Sequence, residues 1–192
     1  MKFNHRFLFS AFLSLCGISL SAAEFREYPI GDEVEINKLK VAAVYFPAVP
    51  MDHNMKGHEG HGSIDSPTEI AKEKFAKPGK ELIHLEADIH SLKDNPAGFA
   101  AGEWIPYLEV SFKIIDLKTK QVVVSGPFMP MIAKDGPHYG TTLRMPGKGN
   151  YKLEYSISAP ALARHTDPLS GVGDYWAPFT VSYDFKYEGL KR

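Results

Sequence analysis

Apolar and polar residues alternate with a period of two along several short segments of this chain, and this pattern restricts its fold most strongly. A period of two predicts β-strands, because successive side chains of a strand point to opposite faces of the sheet. Helical periodicity is confined to residues 67–75, where Ser66 is a candidate cap. The segments with a strand pattern are 40–46, 81–90, 107–115, 121–129, 151–157 and 179–187.

Turn residues such as Asp94-Asn95-Pro96 and Asp135-Gly136-Pro137 separate these strand segments. Short strands with this punctuation are typical of two packed sheets rather than of a mixed fold. We therefore predict an all-β protein, an immunoglobulin-like β-sandwich of about seven to nine strands. A closed β-barrel is the alternative architecture.

The first 23 residues have the pattern of a secretory signal peptide. Lys2 and Arg6 precede an apolar run, which ends in the small residues Ser21-Ala22-Ala23 that a signal peptidase reads. We predict a cleaved leader at 1–23, secretion of the mature chain, and one domain over 24–192. Cys16 is the single cysteine and lies in the leader after Leu15, which argues against a lipid anchor. The mature chain then has no disulfide and no thiolate ligand.

The charge balance argues against nucleic acid as a partner. The formal net charge is −1, and no basic stripe interrupts the mixed charges. Proteins that bind DNA or RNA need a positive surface for the phosphates. We therefore expect no nucleic-acid partner, DNA included.

The segment around residues 83–90 carries the strongest signal for metal binding. On a strand, its apolar residues share one face, and four possible metal ligands share the other. Those four residues are His84, Glu86, Asp88 and His90. A solvated strand face is the alternative interpretation of the same pattern.

Two further segments offer soft and imidazole ligands. Met131 could supply a thioether, whereas Met129 is expected to fill the core. His138 follows a Gly/Pro turn, where side chains are commonly displayed for function. A sulfur ligand with imidazole suits copper, and carboxylate with imidazole suits iron, manganese or zinc. His165 lies in a polar loop, and taken singly each histidine is better explained as an ordinary surface residue than as a ligand.

Residues 51–62 form a His/Met-rich segment. It contains three His, two Met and three Gly, a composition that attracts metal ions in a flexible loop. A solvated loop without specific ligands is the alternative. The candidate auxiliary ligands are Met51, His53, Met55, His58 and His61.

These segments together resemble the periplasmic ferrous-iron-transport accessory family, which is related to a pathogen membrane-antigen lipoprotein. The resemblance covers nearly all of the mature chain in order. The matching strings are residues 41–45, 84–90, 102–108, 128–131, 135–140, 164–167 and 171–173. The His/Met-rich segment departs from the pattern, because it is longer and richer in histidine than the family would lead us to expect.

The resemblance implies a homodimer and a copper site made by three histidines and one methionine, with a glutamate nearby. Carried onto this chain, the ligands are His84, His138, His165 and Met131, with Glu86 beside them. Asp88, His90 and Asp135 match family positions near the site, where supporting roles are expected.

The resemblance further implies a periplasmic accessory protein of a high-affinity iron-uptake system. Copper and iron, with manganese or zinc as surrogates, would bind at the site, and an inner-membrane iron permease would be the partner. We expect a metal-binding transport protein rather than an enzyme. The alternatives are a periplasmic copper-buffering chaperone, a small copper oxidoreductase, and an adhesion module with incidental histidines.

Overall fold

The computed structural model describes residues 26–51, 72, 77 and 79–191. The predicted leader, most of the His/Met-rich segment and, apart from Lys72, the predicted helix at 67–75 lie outside the described residues. Within the described part of the chain, no helix has both the length and the hydropathy that crossing a membrane would require.

The described residues form ten strands. Their bounds are β1 (Tyr28–Pro29), β2 (Val34–Ile36), β3 (Leu39–Pro47), β4 (Leu82–Ser91), β5 (Glu109–Asp116), β6 (Val122–Pro127), β7 (Met129–Ala133), β8 (Gly136–Arg144), β9 (Gly149–Ser158) and β10 (Phe179–Tyr187).

The strands form two antiparallel sheets. The six-stranded sheet has the order β1-β3-β4-β8-β7, with β2 also paired to β3. The four-stranded sheet has the order β10-β9-β5-β6. The all-β sandwich predicted from the sequence is confirmed, and the expected seven to nine strands become ten when the short strands β1 and β2 are counted.

The core lies between the two sheets and is made by one face of each. Strands β5, β9 and β10 alternate between buried and less buried positions, as a period of two predicts. Two tyrosine hydroxyls from the four-stranded sheet also cross the core. Tyr155 donates to the carbonyl of Glu86 at 2.8 Å, and Tyr183 donates to the carbonyl of Val41 at 3.0 Å.

The sequence analysis missed a hairpin made by β7 and β8. The strand predicted at 121–129 ends at Pro127, and the chain then crosses to the other sheet, where β7 begins at Met129. The turn predicted at 135–137 is shorter than expected, and β8 already begins at Gly136. Pro137 is tolerated there because the pairing of β8 with β4 starts only at Tyr139.

His138 therefore lies in a strand and not in the loop where the sequence analysis placed it. It follows Pro137 in β8 and pairs directly with Met131 of β7. Its position on a sheet fixes its direction more firmly than a loop would, because strand side chains alternate strictly between faces.

Candidate metal centre

Strand β4 carries two of the candidate ligands on the face that points away from the core. Leu85 and Ala87 lie in the core, so His84 and Glu86 point to the opposite, outer face of the six-stranded sheet. The alternation predicted for this strand is confirmed. The alternative of a solvated face does not hold here, because both His84 and Glu86 are buried.

Three of the predicted ligands come together on this outer face. The ligand atoms of His84, Glu86 and His138 all lie within 4.8 Å of one another. Glu86 Oε1 is 3.5 Å from His84 Nε2 and 2.9 Å from His138 Nε2. The exposed fractions of the three residues are only 1%, 7% and 4%. Two imidazoles and one carboxylate thus share a buried site that could hold a metal ion.

The surroundings of His84 direct its Nε2 atom toward Glu86. Its Nδ1 atom lies 3.2 Å from the hydroxyl oxygen of Thr142, its partner residue on β8. Phe46 packs on the ring with a centroid distance of 5.1 Å. With Nδ1 engaged by a hydroxyl, Nε2 is the atom of this ring that a metal would meet.

Gly140 makes room for the ring of His84. It lies opposite Glu86 in the pairing of β4 with β8. A Cβ atom at position 140 would stand 2.7 Å from His84 Nε2. Any larger residue would therefore push on the ring atom that faces Glu86.

Two methionines of β7 share the outer face with this cluster. Met131 pairs directly with His138, and Met129 pairs directly with Gly140. Directly paired residues of antiparallel strands lie on the same side of the sheet, so both side chains face the site. Met129 is half-buried and was expected in the core. The sequence analysis missed its placement because it did not predict strand β7.

Two groups at the site, His138 and Asp88, have a raised pKa, but burial acts on them in opposite directions. Burial alone would lower the pKa of His138, but contact with Glu86 and the charges of Asp88 and Asp135 outweigh it and raise that pKa above its ordinary value. Burial and the neighbouring Glu86 raise the pKa of Asp88. The electrostatic field of the site therefore includes Asp88, His90 and Asp135, the three residues expected in supporting roles.

The donor set and the packing both fit a transition-metal ion. His138 Nε2 is buried and has no hydrogen-bond partner of good geometry among the described residues, although Glu86 Oε1 is close. A buried polar atom left in this way costs free energy, and a bound cation would satisfy it. Imidazole nitrogen, carboxylate oxygen and a thioether on the same face together suit copper or iron.

His165 does not join this cluster within a single chain. It is exposed in the connection between β9 and β10, where its Nδ1 atom lies 2.9 Å from Ser170 Oγ. Asp167 accepts hydrogen bonds from the side chain and main chain of Ser170, which lower its pKa. Of the auxiliary residues proposed at 51–62, Met51 is described as half-buried, and His53, Met55, His58 and His61 lie outside the described residues.

Fold and site together define a β-sandwich protein with a buried His/Glu centre suited to a transition-metal ion. A family model described as Fe2+ transport protein matches residues 24–189, and the chain belongs to this family. The resemblance recognised from the sequence is thereby confirmed.

Two sets of solved structures and one curated relative illustrate the similarity. FetP of a uropathogenic E. coli strain is 44% identical, with a TM-score of 0.69, over 86% of this chain and 99% of that one. The copper-reconstituted P19 protein of Campylobacter jejuni is 37% identical, with a TM-score of 0.71, over 87% of this chain and 99% of that one. Copper-bound variants of both proteins have also been solved. The 34 kDa membrane antigen of Treponema pallidum is 34% identical over 178 residues, which is 88% of this chain and 78% of the antigen.

Proposed function

We propose that this chain is a periplasmic accessory protein of a high-affinity iron-uptake system. It binds copper, and iron or manganese, at the His/Met/Glu site and supports delivery of iron to an inner-membrane permease. Its membership of the Fe2+ transport protein family and the copper bound by its relatives FetP and P19 support this function.

The single observation that carries the proposal is the buried convergence of His84, Glu86 and His138. Burying three ionisable groups within 4.8 Å of one another is costly unless something compensates them. A metal ion would compensate them, because it takes the lone pairs of both imidazoles and the charge of the carboxylate.

The residues around the cluster would suit two kinds of ion. The Nε2 atoms of His84 and His138 would hold copper together with the thioether of Met131, which is the soft member of the set. Glu86 supplies the hard oxygen ligand that iron or manganese prefers. When bound, copper would supply one-electron exchange, since imidazole and thioether ligands tolerate both of its common oxidation states.

The fourth ligand would come from a second copy of the chain. His165 is exposed and stands apart from the cluster of its own chain, although the family resemblance places it among the copper ligands. A homodimer resolves this difference if His165 of the partner subunit reaches the outer face beside Met131. Copper should then stabilise the dimer, and His165→Ala should abolish that effect.

Copper titration of the purified, metal-free mature protein tests the assignment of the site. We expect His138→Ala to lose stoichiometric binding. Met131→Leu should weaken copper affinity by at least about tenfold, because even losing a group that only orients a ligand costs about 10- to 100-fold. Met145→Leu is the matched control, because Met145 is a fully buried core residue outside the cluster. Unchanged stoichiometry and affinity in both site variants would overturn the assignment.

Growth of a strain lacking the gene tests the link to iron. The proposal predicts poor growth under iron starvation, rescued by the wild-type gene and not by the His138→Ala variant. A defect under copper excess alone would identify a copper-buffering chaperone instead. Oxygen-dependent oxidation of Fe2+ by the copper-loaded protein, at a rate above that of free copper, would identify a small copper oxidoreductase.

A further inference from the structure

The loop that carries His165 contains a chain of side-chain hydrogen bonds that ends at its imidazole. Ser170 Oγ lies 2.6 Å from Asp167 Oδ2 and 2.9 Å from His165 Nδ1. All three residues are exposed, so burial does not force this arrangement on them. The hydrogen bonds themselves therefore decide how the ring of His165 is held.

Counting the protons available to these two hydrogen bonds assigns the tautomer of His165. The Asp167 carboxylate is ionised at neutral pH and can only accept, so the single hydroxyl proton of Ser170 is donated to it. Ser170 Oγ can then only accept from the imidazole. The remaining proton between Ser170 and His165 must therefore be carried by Nδ1, which leaves the lone pair on Nε2.

Main-chain hydrogen bonds hold the three residues in place. Asp167 Oδ1 accepts from the amides of Leu169 and Ser170 at 2.9 and 3.0 Å, and the carbonyl of His165 accepts from the amide of Val172 at 2.9 Å. Main-chain groups on both sides of Ser170 in the sequence are therefore hydrogen-bonded within the loop. Loss of the Ser170 hydroxyl alone would leave these bonds in place.

A second set of contacts braces the loop internally, and one of them ties it to the rest of the domain. Arg164 donates to the carbonyl of Gly173 and pairs with Asp174 at 2.8 Å, and its guanidinium lies 5.1 Å from the ring centroid of Tyr175. The amide of Gly173 donates to the carbonyl of Pro96 at 2.7 Å. The imidazole is consequently presented from a braced loop.

We propose that Ser170 and Asp167 are positioning residues that hold His165 in its Nδ1–H tautomer and present Nε2 as the only ligand atom of this ring. A histidine side chain in water favours the opposite tautomer, with the proton on Nε2. The loop therefore prepares His165 for a transition-metal ion before the ion arrives. This inference rests on the proposed function, in which His165 completes a copper site.

The tautomer can be measured directly in the metal-free mature protein. Long-range 1H–15N NMR spectra at a pH about two units above the ordinary imidazole pKa distinguish the two ring nitrogens of His165. We expect the wild type to carry its proton on Nδ1. Ser170→Ala should shift the population toward the Nε2–H form, and Ser170→Thr, which keeps the hydroxyl, should restore the wild-type spectrum. Ser182→Ala on strand β10 is the matched control and should change nothing.

Copper affinity supplies the second readout. Removing a group that orients a ligand typically costs about 10- to 100-fold in metal affinity. We expect Ser170→Ala to lose copper affinity by about tenfold, and Ser170→Thr to bind copper as tightly as the wild type. An Nε2–H tautomer in the wild type, or no change in Ser170→Ala, would overturn the inference. A shifted tautomer with unchanged copper affinity would overturn the role of Nε2 as a prepared ligand.

The two readouts separate this inference from the proposed function. The tautomer is measured in metal-free protein, so its assignment is tested independently of copper binding. If wild-type protein binds no copper, the proposed function fails even when the tautomer is as expected. If copper binds and only the tautomer disagrees, the proposed function remains and the positioning role is rejected.

Discussion

The buried hydroxyl of Tyr155 donates a 2.8 Å hydrogen bond to the main-chain carbonyl of Glu86. Tyr155 belongs to the four-stranded sheet, and Glu86 belongs to β4, the strand that carries two of the proposed ligands. The core of the sandwich is therefore tied directly to the backbone of a proposed ligand. This contact suggests that changes in the core can be transmitted to the site.

Tyr155→Phe tests this connection. We expect a loss of about 1–2 kcal/mol in the free energy of unfolding, because a buried hydrogen bond is removed while the ring remains. Copper affinity should also fall, since β4 loses a restraint at Glu86. Tyr183→Phe is the control, because it removes a similar bond to Val41 on strand β3. Urea denaturation and copper titration check both variants, and equal copper affinities for the two would contradict the connection.

Gly140→Ala tests the close approach to His84. The added Cβ atom would stand 2.7 Å from His84 Nε2, so we expect weaker copper binding and a stability loss of about 1–3 kcal/mol. Gly126→Ala, in strand β6, is the matched control, since its Cβ atom would meet Phe112 at an ordinary 3.4 Å. If Gly140→Ala binds copper as tightly as Gly126→Ala, the close approach of residue 140 to His84 does not affect copper binding.

Glu86→Gln tests the electrostatics of His138 in the metal-free protein. Contact with Glu86 raises the pKa of His138 against the opposing effect of burial, so replacing the carboxylate by an amide should lower that pKa from its value in the wild type. The contribution of His138 to stability is complete below the unfolded pKa of about 6.5 and is lost as the pH rises through the folded pKa. The wild type should therefore gain stability relative to the variant on going from about pH 9 to about pH 6.

NMR titration of His138 and urea denaturation at both pH values measure these effects. Glu109→Gln, an exposed residue on strand β5, should change neither. A His138 pKa that is the same in wild type and Glu86→Gln would contradict the electrostatic account. Because copper must displace the proton from His138, affinity in the wild type should also rise with pH until that group is neutral.

Substitutions at Tyr107 test whether its backbone conformation is strained. Its φ of 60° lies in the left-handed region, which is costly for a bulky residue, and 65% of the residue is exposed. We expect Tyr107→Gly to be more stable than Tyr107→Ala by about 1 kcal/mol, because glycine adopts this conformation without steric cost. Thermal or urea denaturation of the two variants gives the difference. A more stable alanine variant would show that position 107 is not strained.

The strands of the sandwich were predictable because their signal is local. Alternation at 81–90 alone separates the core face from the ligand face of β4, which is why His84 and Glu86 were found together. The hairpin of β7 and β8 was missed because Pro130 and Pro137 interrupt the usual strand composition. The two prolines are tolerated because β7 is an edge strand and because β8 pairs with β4 only from Tyr139 onward.

The sequence offered candidate ligands from other segments one at a time, only the family resemblance joined them into one site, and the structure divides them. The register of β8 brings His138 beside Glu86, and the register of β7 places Met131 next to His138. It also adds Met129 to the same face, which no sequence pattern indicated. His165 stays apart from the cluster of its own chain.

The sequence by itself determined the class of fold and the sidedness of strand β4, because both follow from a period of two along a few consecutive residues. Only the tertiary structure decided which distant groups meet. A shift of one residue in the pairing of β8 with β4 would turn His138 into the core and Tyr139 onto the outer face. Long-range register is set by the packing of both sheets together, and no single segment encodes it.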